Sequence, residues 1–578
     1  MAAKPQLDAA GSSRKGFVIF HLIPVLALGF SAFAQDSASD QARLPAAQIA
    51  FDAGHWEQAA KLARGPADQS PDFDFLAGLA LAHLEKWDEA KLAFDAGFRK
   101  APGDSRFLVE LAGVAYKQKD FRAAKKHLHA ALKLNPRDPY SSEFLATIYF
   151  LEDNLEAALK YWNPEDKPRL KSVAFKPSLK LKESLRNSAV AFNAPQVLTA
   201  DALLTTQARL DNLGIFSSRR MELSPADSGN YDATLHLMEK NGWGDSKIEG
   251  VVSLLSGLPY ATVYPEFYDL GRDAVNLTSL ARWDSEKRRL SLALSFPLYG
   301  DPSLQLRLYA DARNENWNLS QTFLGAVTPL TDLNMRRAAA GAEVHSIVNG
   351  HLSWSAGAEI ANRNFRNLVA MSSPAQEFFT DTMSLAGWLR AKRTLIRAPE
   401  RRFTLDSSAE VKAGREFANG LGPFATVRGV LLAQWFPRAK GDDFEMQTQI
   451  RAGAIAGKAT LDELFELGIE RDNDLWLRGH AGTFDGRKGA APLGRRFFVA
   501  NWEMDKNLFQ NGFFTVKLGP FLDSGTVADS SSLFGSRRWL WDAGAQCRVR
   551  VLGSLTIVLS YGRDLRGGKG AFYGTVLH

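Results

Sequence analysis

Between residues 249 and 578, apolar and polar side chains alternate in one segment after another. Leu290, Leu292, Leu294 and Phe296 alternate with Arg289, Ser291, Ala293 and Ser295, and Leu304, Leu306 and Leu308 with Gln305, Arg307 and Tyr309. Trp539, Trp541, Ala543, Ala545, Cys547, Val549 and Val551 alternate with Asp542, Gly544, Gln546, Arg548 and Arg550. A period of two puts one set on each face of a strand. Many segments reach about 10 to 13 residues, longer than globular strands and long enough for a tilted membrane crossing. With apolar residues and aromatics on one face and charge on the other, the pattern fits an outer-membrane barrel with lipid outside and a wet lumen. At about 20 residues per strand and turn, the region holds roughly 16 strands.

The mean hydropathy of −0.20 does not oppose this, because only every second strand residue faces lipid. No tract after residue 34 resembles a spanning helix. The charge of +6, from 70 basic and 64 acidic residues, comes without a basic run carrying interleaved aromatics, so no nucleic-acid partner is expected. The single Cys547 excludes an intrachain disulfide. No His-Glu-x-x-His, Gly-x-Ser-x-Gly or phosphate loop is present, so no enzyme activity, cofactor or metal is expected.

At the other end, Arg14 and Lys15 precede an apolar run, 16–33, closing on Ala32-Phe33-Ala34. This describes a secretory signal, 1–34, followed by a linker, 35–44. Residues 45–164 repeat with a period of 34 residues: Trp87, Phe121 and Leu155 are equivalent, as are Ala90, Ala124 and Ala158. Gly78, Ala112 and Ala146 also correspond, and Pro102 matches Pro136. The unit resembles the tetratricopeptide repeat, a helix pair that stacks into a solenoid because one pair cannot bury its face alone.

Residues 165–248 read as β-α-α-β-β. A strand over 172–181 leads to a short helix at 183–188 and a second helix capped by Thr199 and stopped by Gly214. Strands follow at 215–223 and 231–238. With Leu213-Gly214-Ile215-Phe216 and Glu239, the segment resembles a POTRA domain, with Arg219 where that family carries an apolar strand residue. The fold class expected is therefore a solenoid, a POTRA-like module at 165–248 and a transmembrane antiparallel barrel at 249–578.

A charged, Gly-rich insertion, 471–496, interrupts the alternation and contains Trp476-Leu477-Arg478-Gly479-His480. Five strand-like segments follow it: 496–506, 512–525, 538–552, 553–564 and 571–578. Parity turns Phe521, Asp523, Gly525 and Glu503 to one face and Trp502 to the other. Together these features resemble the BamA/TamA/FhaC superfamily of outer-membrane barrels, which insert other barrels or export partner proteins. The resemblance implies that the 471–496 loop folds into the lumen, where Arg478 contacts Glu503 and Asp523. His480 replaces the family's aromatic residue, and Val576-Leu577-His578 replaces its terminal aromatic. It further implies an outer-membrane location with periplasmic N-terminal domains, partly unfolded client proteins, outer-membrane lipid and accessory lipoproteins as partners, and no catalysis. A polysaccharide export porin and a passive channel are the alternatives.

Overall fold

The computed structural model describes residues 37–64, 70–240, 242–243, 257, 261–319, 322, 333–367, 377–418, 420–439, 441, 443–511, 513–530, 533–536, 538–551 and 555–577. The expected signal segment, 1–34, lies outside them. Two compact units are present, 1–136 and 137–578.

The first unit is helical: α1 (Ser37–Asp52), α2 (Trp56–Ala63), α3 (Pro71–His83), α4 (Trp87–Lys100), α5 (Ser105–Lys117) and α6 (Phe121–Leu134). Helix α1 takes in 37–44, so the stretch read as a linker is helical; Ala38, Ala42 and Ala46 favour helix and no glycine interrupts them. The repeated small residues sit where helices meet. Ala90 and Ala124 are fully buried. A Cβ on Gly78 would stand 2.4 Å from the Phe94 ring, and one on Gly97 2.2 Å from Phe107. Trp87 packs against the edge of that core, and Phe121 lies 5.6 Å from the Tyr116 ring.

The second unit begins with α7 (Pro139–Leu151) and α8 (Leu155–Trp162), where Ala158 is fully buried. The α/β module follows: β1 (Leu170–Lys176), α9 (Glu183–Ala189), α10 (Ala200–Leu213), β2 (Phe216–Pro225) and β3 (Tyr231–Glu239). Its strands lie in the order β1-β3-β2, with β1 parallel and β2 antiparallel to β3. Thr199 caps α10 by accepting from Ala202 N–H, and Gly214 ends it in the left-handed conformation at φ 71°. Phe216 opens β2 opposite Glu239. Arg219 tolerates its strand position because it is exposed and pairs with Asp211.

The rest of the unit is one large antiparallel sheet. Its strands are β4 (Thr262–Val263), β5 (Glu266–Leu270), β6 (Val275–Trp283), β7 (Lys287–Pro297), β8 (Leu304–Trp317), β9 (Leu333–Asn349), β10 (Leu352–Arg366), β11 (Thr382–Ala398), β12 (Phe403–Glu416), β13 (Pro423–Trp435) and β14 (Phe444–Gly457). Four two-residue strands lie in a long loop: β15 (Phe465–Glu466), β16 (Thr483–Phe484), β17 (Arg487–Lys488) and β18 (Leu493–Gly494). The sheet resumes with β19 (Arg496–Gln510), β20 (Phe514–Ala528), β21 (Leu540–Val551), β22 (Leu555–Asp564) and β23 (Gly570–Leu577). Strand β14 pairs directly with β19, so the whole of 458–495 is an insertion between neighbouring strands. It starts earlier than the 471–496 segment read from the sequence, because the ladder stops at Gly457 (φ 83°).

Period two is visible in burial. Leu290, Leu292 and Leu522 are exposed on one face, whereas Phe521 and Asp523 are buried on the other, against which the loop packs. At one end of the sheet the turns carry the preceding modules. Asn154 donates to Pro399 O at 2.8 Å, Tyr161 to Glu400 at 3.1 Å and Arg397 to Glu156 at 2.7 Å. Helix α10 docks on two further turns, with Gly350 N–H donating to Thr205 Oγ1 and Asn212 to Pro302 O. Strand alternation puts the 458–495 loop at the opposite end.

Candidate functional site

The loop folds back over the inner face because its apolar residues have a core to enter. Leu461, Leu464, Phe465, Leu467, Leu475, Leu477 and Leu493 are buried with Phe365, Phe378, Phe424, Phe497, Val499 and Phe534 of the surrounding structure. That burial carries charged loop residues away from water, and Asp462, Glu463, Glu470, Asp472, Arg478 and Lys488 find counter-charges on the strands.

Arg478 is the first anchor. Its Nε and Nη2 donate to the two oxygens of Asp523 at 2.9 and 2.7 Å, and Nη1 donates to Glu503 at 2.9 Å and to Gln546 at 2.7 Å. The guanidinium lies 3.8 Å from the Phe521 ring centroid. A bidentate carboxylate and an aromatic face suit the planar arginine fork, which the ammonium of lysine does not reproduce. The backbone joins in: Arg478 N–H donates to Asp523 at 2.9 Å and Gly479 N–H to Asp542 at 2.6 Å. Gly479 is needed for this approach, since a Cβ there would lie 2.6 Å from Asp564 N, and Gly562 is needed beneath it, 2.2 Å from Arg478 O. His480 Nδ1 sits 3.0 Å from Asp542 and Nε2 sits 3.7 Å from Asp564. Gly525 supports the site from β20, where a Cβ would press on Phe498 O at 2.8 Å.

The structure thus brings Arg478, Gly479, His480, Phe521, Glu503 and Asp523 together, while Gly525 lies two residues beyond Asp523 on the same strand, β20. Gly214, Phe216 and the repeat residues Trp87, Ala90, Phe121, Ala124 and Ala158 belong to their own modules. Sequence reasoning did not nominate Asp542, Gln546, Arg548, Asn501 or Asp564. Arg548 donates to Glu503 and lies 2.9 Å from Asp505, and Asn501 donates to Asp523 at 2.7 Å. The inward parity of Asp542, Gln546 and Arg548 was the signal that could have found the β21 members.

Two further ion clusters hold the loop elsewhere. Arg363 of β10, fully buried, donates from Nε to both oxygens of Asp462 at 2.8 Å and from Nη2 to Glu463 at 2.7 Å. Lys412 of β12 donates to Glu463 at 2.7 Å, and Arg337 of β9 lies 3.4 Å from Asp462. Beyond a cavity of about 590 Å³, Lys488 pairs with Glu315 of β8 at 3.0 Å. Asp472 accepts from Arg282 of β6 at 2.8 Å and Arg289 of β7 at 2.6 Å, and Glu470 accepts from Lys287 at 3.1 Å.

Among the described residues, His480, Asp542 and Asp564 bring one ligand atom each to within 4.8 Å of one another. The two ring nitrogens face different carboxylates, however, whereas a metal ion takes one nitrogen of a ring. The arrangement suits a bridging imidazolium.

A family model described as a tetratricopeptide repeat matches residues 109–163. No curated protein matches the chain. Among solved structures, the chain is similar to BamA from Haemophilus ducreyi lacking POTRA domains 1–3, at 12% identity over 71% of this chain and 84% of that one, with a TM-score of 0.41. CdiB from Acinetobacter baumannii matches at 13% identity over 71% and 73% of the two chains, with a TM-score of 0.41. CdiB from Escherichia coli matches at 13% over 71% and 75%, with a TM-score of 0.45.

Proposed function

We propose that the chain is a non-enzymatic outer-membrane protein that assembles membrane proteins or translocates a partner protein. In this reading the sheet closes as a barrel of about 16 strands. The module at 165–248 acts as a POTRA domain, and it and the repeats capture partly unfolded clients in the periplasm. An exposed strand edge such as β2 has the unpaired backbone groups that a client strand can use.

The observation that carries this reading is the docked loop. Arg478 is buried against Asp523, Glu503 and Gln546, in a loop inserted between β14 and β19. A strap held across the interior by three sets of buried charges favours this reading over an open passive channel. Inserted loop charge of both signs also fits poorly with a smooth acidic or aromatic sugar track, which a polysaccharide exporter would need.

The test is the outer-membrane and secreted proteome of a strain lacking the gene. Loss of particular barrels, or of one secreted protein, is expected. Loss of a surface polymer with an unchanged proteome would refute the proposal.

A further inference from the structure

His480 is in an unusual position for a loop residue. Each carboxylate beside it has one oxygen held by a backbone amide. Asp542 Oδ2 accepts from Gly479 N–H at 2.6 Å and hydrogen-bonds His480 Nδ1 at 3.1 Å, while Asp542 Oδ1 lies 3.0 Å from Nδ1 without a hydrogen bond. Asp564 Oδ1 accepts from Arg566 N–H at 2.9 Å, while Asp564 Oδ2 stands 3.7 Å from Nε2. Asp542 is fully buried. A neutral imidazole has one N–H and one lone pair, so it would turn a lone pair against one of two carboxylates. The imidazolium donates to Asp542 at 3.1 Å and turns its second N–H toward the Asp564 charge, 3.7 Å away.

We propose that His480 is a proton-operated clasp on the tip of the docked loop. Charged, it bridges β21 to the β22 end through Asp542 and Asp564 and locks Gly479 against them; uncharged, it frees the tip while Arg478 remains seated. The clasp rests on the proposed function only for its consequence, which is regulation of loop release by pH.

The groups facing the ring are few. Asp542 approaches from β21, Asp564 from β22 and Lys569 from the β22–β23 turn. Asp523, opposite Asp542 in the ladder, is already matched by Arg478. Burial works to lower the pKa of His480, but the hydrogen bond and charge of Asp542, with the charge of Asp564, outweigh it and Lys569, so the pKa is raised. Because the folded ring holds its proton more tightly than the unfolded one, the stabilisation is complete below about pH 6.5 and is lost as pH climbs through the raised value.

The experiment compares thermal midpoints of the full chain and His480→Gln in detergent across about pH 5.5 to 9. A gap in favour of the native chain at the acid end, closing toward the alkaline end, is expected. Asp564→Asn should show a smaller gap with the same pH trend. A gap that stays constant with pH would mean that the ring only packs, and no gap at all would mean that it does nothing; either overturns the clasp. A gap that follows chelator or added zinc instead of pH also overturns it, in favour of a metal. Conductance in planar bilayers separates the two proposals. A pH-dependent thermal gap without conductance at any pH counts against the membrane reading alone. Conductance without the gap counts against the clasp alone.

Discussion

Arg478 and Arg363 anchor the same loop with opposite polarity. At Arg478 the loop supplies the cation and β19, β20 and β21 supply the acceptors. At Arg363 strand β10 supplies the cation and the loop supplies Asp462 and Glu463. The difference lies in what else each anchor does. The Arg478 side adds backbone amides, a close-packed glycine and an aromatic face, so it fixes the tip in one pose. The Arg363 side has alternative cations close by in Lys412 and Arg337, so it fixes charge balance more than pose. The first holds the tip in a defined geometry, and the second holds the root of the loop.

The largest effect is expected for Arg363→Ala, which strands Glu416 in a buried site and leaves Asp462 and Glu463 only Arg337 and Lys412. Removing one partner of a buried pair costs about 3–5 kcal/mol, and urea unfolding of the full chain in detergent should show a loss of that order. A near-neutral result would mean that water reaches the site. Replacing Arg478 by Lys comes next: the point charge remains but the fork and stacking are lost, so a loss of about 1–3 kcal/mol is expected by the same measurement. Lys412→Arg, at the permissive anchor, should cost less, and equal losses would mean that the two anchors are equally demanding of geometry. Gly479→Ala forces a Cβ to within 2.6 Å of Asp564 N, so the tip should lift at a cost of about 1–3 kcal/mol, visible as new protease sensitivity at 476–482. The smallest effect belongs to Arg428→Ala, whose partner Asp474 is mostly exposed; about 0–1 kcal/mol is expected.

The two anchors also differ in how well the sequence announced them. Arg478, Glu503 and Asp523 could be read because Glu503 and Asp523 lie on strands with clear alternation, where parity fixes the face. Asp462 and Glu463 could not. They are adjacent, so they break a period of two, and they follow Gly457, where the ladder ends without any cluster of turn residues. Arg363 lies among Asn362, Asn364 and Ala361, where polar residues occupy both parities and the face is undetermined. The helices and the β-α-α-β-β order were legible for local reasons, namely the 34-residue spacing of small residues, the Thr199 cap and the Gly214 stop. Ion clusters are not local: Arg363 meets Asp462 across 99 residues, and only the folded loop brings them together.

The measurement closest to the central claim is client assembly in cells carrying Arg478→Ala, with the amount of the variant in the outer membrane determined alongside. The loop-anchor account predicts that the variant still reaches the membrane while client assembly or export falls. Full client assembly at normal membrane levels of the variant would contradict it.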